Sequence, residues 1–201
     1  MMVALSVLLS VSACSSDDPD PIGNDIAGTN LALTQIEKDA LVFMLEEERL
    51  ARDVYDHLFV KWGLSQFENI STSEQSHMDA VETLLKKYDL PYSILKAGTF
   101  QNADLQAAYN SLVAQGNEDL VGALTSGATI EDLDIFDLET WMDQIENDEI
   151  LNVFSKLQCG SRNHLRAFTN SLAMEGETYT PQFISQTEYE EILNSDQERC
   201  N

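Results

Sequence analysis

The chain has 201 residues, with 35 acids against 11 bases and a formal charge of −24. That balance excludes nucleic-acid backbone binding, which needs Lys and Arg to displace counterions, and it disfavours docking on anionic lipid. Hydrophobic residues make up 43% of the chain, enough for a buried core, so global disorder is excluded and one domain is the default.

Val3 to Ala13 is a short run of apolar and small residues, well below the ~20 needed to span a bilayer. It reads as the hydrophobic region of a signal peptide over 1–13. The run ends in Val11-Ser12-Ala13-Cys14, which resembles the bacterial lipobox, a signal cut before a cysteine that becomes lipidated. No Lys or Arg precedes Lys38, a departure from such signals; the alternative is an ordinary secretory signal with an incidental Cys14. Residues 14–30 are rich in Ser, Asp, Pro and Gly and read as an acidic flexible tether. By resemblance to lipoproteins of Gram-negative bacteria, Ser15 after the cysteine implies the outer membrane, so the expected location is a bacterial cell envelope, with a lipid anchor in the outer membrane or periplasm. A helical domain is expected over 31–193 and a C-terminal tail over 194–201.

Four prolines only, at 19, 21, 91 and 181, leave long segments free to be helical. Thr34 followed by Glu37 predicts a capping box, with a helix running to Trp62 and stopping at Gly63. A second helix is predicted from Asn69 or Ser71 to Tyr88, before Pro91. Two short amphipathic pieces follow, Leu105 to Val113 and Leu120 to Leu124. A third long helix is predicted from Thr129 to Asn147 and a fourth from Asp148 to Met174, with Gly176 beyond it. No strand-like alternation exceeds five residues. Some 40 residues separate the second and third long helices, which implies a long crossover between two helix pairs. The predicted fold is all-α, with the topology of ferritin-like four-helix bundles.

Two further cysteines, Cys159 and Cys200, are expected to form a disulfide in an oxidising envelope, strapping the tail to a helix; free thiols are the alternative. Closing that loop is worth about 4 kcal/mol in the chain-entropy model. No CxxC occurs, which excludes a rubredoxin-type site or a zinc ribbon.

Polar residues occupy positions that the helical pattern reserves for the core. On the second helix the apolar stripe runs Phe67, Ile70, Val81, Leu84, Tyr88, and its gap is filled by Glu74 and His77. On the fourth, Ile150, Phe154, Leu157, Phe168 and Leu172 flank a gap filled by Ser161 and His164, beside Gly160. On the first helix Ile36, Ala40, Met44, Ala51, Tyr55 and Leu58 share a face; Glu47 and Glu48 lie on its two shoulders and Glu46 is predicted to point outward. The third helix turns Ile130, Leu133, Leu138, Trp141 and Ile145 inward, with Glu131, Asp134 and Asp137 on or beside that stripe. A buried unpaired carboxylate costs several kcal/mol, so these groups need compensation. Two metal ions, bridged by carboxylates and capped by imidazoles, would supply it. Hydrogen-bonded core histidines are the structural alternative. His57 is predicted to be solvated, Arg162 and Arg166 to pair with surface acids, and Trp62 and Trp141 to pack.

Glu48-x-x-Ala51-x-x-x-Tyr55 and Glu74-Gln75-Ser76-His77-Met78-Asp79-Ala80 resemble helix motifs of rubrerythrins and bacterioferritins. More closely, Glu46-Glu47-Glu48-Arg49-Leu50-Ala51-Arg52-Asp53-Val54-Tyr55, Ile130-Glu131-Asp132-Leu133-Asp134-Ile135 and Gly160-Ser161-Arg162-Asn163-His164-Leu165-Arg166-Ala167-Phe168 resemble the ferritin-like family called domain of unknown function 2202. The resemblance spans about Leu31 to Leu193. It implies a ferritin-like bundle with a di-iron centre and no established reaction. Carried over by position, it implies Glu48, Glu74, His77, Glu131 and His164 as ligands, with Glu47 the alternative to Glu48. Ser161 stands where the ferritin template has a bridging Glu; either Asp134 supplies the missing oxygen or one of two metals is held loosely.

The sequence contains no GxSxG elbow, P-loop, HExxH or dinucleotide glycine pattern. The leading expectation is a lipid-anchored protein whose two iron ions react with O2 or peroxide, as a ferroxidase or peroxidase, with a separate electron donor or Fe(II) itself as reductant. The second is a non-catalytic bundle stapled by Mn or Zn, or one that binds a partner. The expected partners are metal ions and O2 or peroxide, with no nucleic acid, membrane contact only through the N-terminal lipid, and a dimer left open. No catalytic side chain is singled out.

Overall fold

The structure, a computed structural model, describes residues 32–200. The expected signal, Cys14 and tether lie outside these residues. The described residues form six helices and no strand: α1 (Gln35–Trp62), α2 (Ser65–Lys87), α3 (Ala103–Gly116), α4 (Leu120–Met142), α5 (Asp148–Met174) and α6 (Gln186–Asn194). None of them is long and apolar enough to cross a membrane.

The Thr34 hydroxyl accepts the Glu37 N–H at 3.2 Å while Glu37 accepts the Thr34 N–H at 2.8 Å, the reciprocal capping that starts α1. Gly63 ends the helix with φ +66°, a left-handed conformation that costs glycine little. The chain turns over Gly63 and Leu64 directly into α2, which begins before the expected Asn69 or Ser71 because Leu64 precedes it without any side-chain cap. The expected break between Leu124 and Thr129 is absent: Asp119 caps a continuous α4, and Gly122 and Gly127 lie inside it. Gly127 serves close packing instead, since a Cβ there would sit 2.4 Å from the Phe168 ring. That helix ends at Met142 rather than at Asn147. Asn147 caps α5, which runs over the predicted span. The short α6 lies across the expected domain boundary and was not anticipated.

Cross-helix pairs set the topology. Glu48–His77, Arg52–Gln75 and Asp56–Ser71 climb α1 while descending α2. Asp134–Ser161 and Gly127–Phe168 do the same for α4 and α5. Gln66–Ser171, Glu74–His164 and Lys87–Glu149 run α2 against α5, and Phe43–Trp141 and Tyr55–Glu131 run α1 against α4. Both α2 and α4 are antiparallel to α1, hence parallel to each other. The chain leaving α2 must therefore travel the length of the bundle before α4 can begin, and residues 88–119 with α3 make that crossing.

The crossover is held by the outward side of α1. Glu46, expected to point into solvent, is buried and accepts the N–H groups of Gln101 and Asn102 at 2.8 and 2.9 Å. Arg49, 1% exposed, donates to the Leu95 and Thr99 carbonyls at 3.2 and 2.5 Å and lies 4.3 Å above the Phe100 ring. Asp53 accepts from the Gly98 N–H at 2.9 Å. The outward prediction for Glu46 failed because helical phase does not reveal a crossover returning over that face. Ile36, placed on the buried face by phase, is exposed at the helix start.

Two apolar clusters fill the bundle. One includes Val54, Tyr55, Leu58, Phe67, Leu124 and Phe168. The other includes Met44, Met78, Val81, Leu85, Leu138 and Phe154. Between them lies a polar layer drawn from all four long helices. Directly before Gly160 on α5, Cys159 is joined to Cys200 of the C-terminal tail, with their Cα atoms 5.6 Å apart. Glu198 on the same tail pairs with Arg162 and Arg166.

Candidate metal centre

The polar layer contains Glu47 and Glu48 from α1, Glu74 and His77 from α2, Glu131 and Asp134 from α4, and Ser161 and His164 from α5. The five carboxylates are each less than 5% exposed. They carry five formal negative charges against two imidazoles, and burial makes that imbalance expensive.

The groups fall into two triads that share one carboxylate. Glu48, Glu74 and His77 offer ligand atoms within 4.8 Å of one another, and so do Glu74, Glu131 and His164. Glu74 faces both ways: its Oε2 lies 2.8 Å from His77 Nδ1 and its Oε1 lies 2.8 Å from His164 Nδ1. His77 Nδ1 also lies 3.1 Å from Glu48 Oε2, and His164 Nδ1 lies 3.4 Å from Glu131 Oε2. The imidazole centroids are 5.8 Å apart. Gly160 makes room for this arrangement, since a Cβ there would sit 2.7 Å from His77 Cε1 and Nε2.

Several of these atoms lack aligned hydrogen-bond partners: Glu48 Oε1, Glu74 Oε1 and His164 Nδ1 are buried and unsatisfied. His164 Nδ1 is close to Glu74 Oε1 but misaligned for an N–H bond to it. Two donor atoms about 2.8 Å apart, each ~2.1 Å from a common centre, are the spacing of neighbouring ligands on one ion. The residues present therefore fit a metal pair, with oxygen and imidazole donors on each half.

Within the layer the carboxyl and imidazole groups shift one another. Burial alone would lower the His164 imidazole, but Glu74 and Glu131 outweigh it and hold His164 up at about 10. His77 is raised for the same reason, by Glu48 and Glu74. Burial acts to raise Glu74, yet the two imidazoles outweigh it and hold Glu74 below the usual carboxylate range. Glu48 and Glu131 are raised, mainly by burial. Asp134 is pushed up to about 8, again mainly by burial, against a hydrogen bond from Ser161.

The structure thus brings Glu48, Glu74, His77, Glu131 and His164 together. Glu47 and Asp134 belong to neither triad. Glu47 turns towards α4 and Asp137, and Asp134 accepts the Ser161 hydroxyl. Tyr55 donates to Glu131 Oε1 at 2.5 Å from the floor of the layer, orienting that carboxylate. His57 is partly buried rather than solvated, with Nε2 3.0 Å from Asn117 Oδ1. Trp62 donates to the Gly116 carbonyl at 2.9 Å. Sequence reasoning missed Asp132, which is fully buried. Its carboxylate accepts the Tyr179 hydroxyl and the N–H groups of Gln182, Phe183 and Ile184. Its only sequence signal is an acid beside Glu131, which helical phase alone leaves on the surface.

Fold and layer define an all-helical bundle with paired carboxylate–imidazole clusters in its interior. The family described as an uncharacterized protein domain (DUF2202) matches residues 37–196. The chain is 50% identical over 169 residues to the uncharacterized protein MJ0754 of Methanocaldococcus jannaschii, spanning 83% of this chain and 91% of that one. The crystal structure of that hypothetical protein is similar with a TM-score of 0.81 at 49% identity, covering 83% of this chain and 96% of the other. The chain belongs to the DUF2202 family.

Proposed function

We propose that the protein is a ferritin-like four-helix bundle holding a dinuclear iron centre that reacts with O2 or peroxide. The observation that carries this reading is the pair of triads sharing Glu74, whose two oxygens face opposite imidazoles 2.8 Å away. Paired helices joined by a long crossover, with Glu-x-x-His on an inner face, match the ferritin-like template. Glu48 and His77 would hold one ion, Glu131 and His164 the other, and Glu74 both.

Iron in such a site supplies the electrons that reduce the oxidant. The chain's own groups do the rest. Tyr55 fixes the rotamer of Glu131 through its hydroxyl. The apolar clusters above and below bury the carboxylates, which strengthens the charge interactions among them, while the imidazole edges of His77 and His164 stay 13% and 12% exposed.

A second reading, a non-catalytic bundle stapled by one Zn or Mn, is favoured by one observation. Ser161 replaces a second bridging carboxylate and spends its hydroxyl on Asp134 and the Leu157 carbonyl. Metal analysis separates the two. About two irons per chain, lost in Glu74→Ala, supports the dinuclear reading; a single zinc supports the other. No metal after anaerobic iron loading refutes both. Stopped-flow mixing of the Fe(II) protein with peroxide then tests reactivity. The proposed cellular setting is the bacterial envelope, with Cys14 as lipid anchor; Cys14→Ser should move the protein from the membrane to the soluble fraction.

A further inference from the structure

The Cys159–Cys200 bond joins two unlike sulfurs. Cys159 is 7% exposed on α5, whereas Cys200 is partly exposed on a tail whose residues 193–197 are open to solvent. An external thiolate can therefore reach the Cys200 sulfur before that of Cys159. Beside the tail lies a cleft of about 390 Å³ whose walls include Asn163, Arg166, Asn170, Ser195 and Gln197. Asn163 connects cleft and sulfur, since its Nδ2 also donates to Cys200 Sγ at 3.4 Å. Amide, hydroxyl and guanidinium groups in a space of this size suit a small peptide-like thiol rather than a folded protein.

The tail has anchors besides the S–S bond. Arg162 Nε and Arg166 Nη2 donate to the Glu198 carboxylate at 2.8 and 2.9 Å. Asn163 donates to the Glu198 carbonyl at 3.1 Å and accepts the Glu198 N–H at 2.9 Å. Arg166 Nε donates to the Ile192 carbonyl at 2.8 Å. These contacts keep Cys200 against Cys159 after the bond opens, so that it can re-form. The local charges favour opening. In a chain with only 11 bases, Lys156 and Arg162 stand three residues to either side of Cys159 on one face of α5, and Arg199 precedes Cys200. Nearby cations stabilise a departing thiolate. The acids that face Arg162 are Glu198 and Glu188. A fixed staple requires neither the cleft nor the cationic flank.

We propose that Cys159–Cys200 is a working dithiol–disulfide couple, reduced by a small polar thiol that docks in the cleft and attacks Cys200 Sγ. A bond forms between the incoming sulfur and Cys200, the Cys159–Cys200 bond breaks, and its electron pair leaves on Cys159. A second thiolate attacks the incoming sulfur and releases Cys200, so the external thiols end as a disulfide. Re-forming the internal bond gives back an electron pair and the protons of both thiols. Cys159 directly precedes Gly160, whose lack of a Cβ makes room for the His77 ring, so the couple adjoins the polar layer. An electron pair is what returns a ferric pair to ferrous. That use rests on the dinuclear reading above; the couple itself does not.

The test starts from the oxidised, metal-free chain and reduced glutathione, with thiols counted by a chromogenic disulfide. About two thiols per chain should appear while circular dichroism stays native. Lys156→Gln, at an exposed position, should slow opening about three- to tenfold. Asn170→Trp, also exposed, should fill the cleft, slowing glutathione about tenfold and mercaptoethanol little. Thiols that appear only as the fold melts, or wild-type glutathione rates in either variant, would overturn the proposal. The iron-loaded dithiol protein is then mixed with peroxide in the absence of oxygen. Wild type should lose about two thiols per chain, and Glu74→Ala should keep them roughly tenfold longer. Equal loss in both would refute the link between couple and layer. A chain that takes up no iron yet opens natively with glutathione refutes the dinuclear reading and leaves the couple standing.

Discussion

Replacing Gly160 with alanine tests the proposed centre without touching a proposed ligand. The new Cβ would lie 2.7 Å from Cε1 and Nε2 of His77. Ordinary carbon contacts begin near ~3.5 Å, so the ring must retreat by about 0.8 Å. The imidazole is the free end of a side chain and can move; the α5 backbone need not. His77 Nδ1, now 2.8 Å from Glu74 Oε2 and 3.1 Å from Glu48 Oε2, moves with the ring. Metal sites tolerate about 0.2 Å in ligand distance. The expected result is a 10–100-fold loss of affinity in the His77 half, about 1.4–2.8 kcal/mol, with the His164 half retained. Helix propensity gains about 1 kcal/mol from Gly to Ala and offsets the cost of displacing the ring, so the metal-free melting temperature should change little. Isothermal titration with Fe(II) or Mn(II), beside a metal-free melt, reads both quantities. Wild-type affinity in both halves would refute the argument that this glycine positions the ring.

Three other outcomes are expected. Cys200→Ser opens a link between residues 41 apart in sequence and should cost about 2–4 kcal/mol in denaturant unfolding, with a matching loss when wild type is reduced. Asp132→Asn removes the charged acceptor of four donors and should cost about 2–4 kcal/mol, seen as a lower melting temperature and faster proteolysis near residues 179–184. Hydrogen bonds from Arg162, aided by Arg166, lower the Glu198 carboxyl from 4.5 to about 2. A depressed carboxyl contributes its stability above pH 4.5 and loses it as the pH falls towards 2. The melting-temperature gap between wild type and Glu198→Gln should therefore be full at pH 6 and closed near pH 2; a constant gap would contradict the pairing.

Much of this architecture could be read before any coordinates, and the reasons differ by element. Thr34, Glu37 and Gly63 are local signals, and the helix ends they mark agree with the structure; Asn147, expected to end the third long helix, instead caps α5. The start of α2 carries no local signal, since Leu64 offers no side-chain cap, and α4 runs unbroken through Gly122 and Gly127, where the sequence pattern separates a short piece from a long one. Gly127 is there for Phe168, a partner some 40 residues away that no local pattern announces. Glu74, His77 and His164 stood out because each interrupts an apolar stripe. Glu47 and Glu48 flank their stripe evenly, so only the packing of α2 and α4 on either side decides which faces a histidine. The roles of Glu46, Arg49 and Asp53 needed the crossover in place.

Residues 46–55 of α1 serve two customers on opposite sides of one helix: Glu46, Arg49 and Asp53 grip the crossover, while Glu48 and Tyr55 face the polar layer. An α-helix advances about 100° per residue, so any single insertion or deletion here would turn the residues beyond it away from their partners on both faces at once. This decade of chain can accept substitutions one face at a time, but its length is fixed by both. Ligand placement and bundle connectivity are thereby tied to a common reading frame. Grafting the interior layer onto another helix pair would require transferring the grip on the crossover as well.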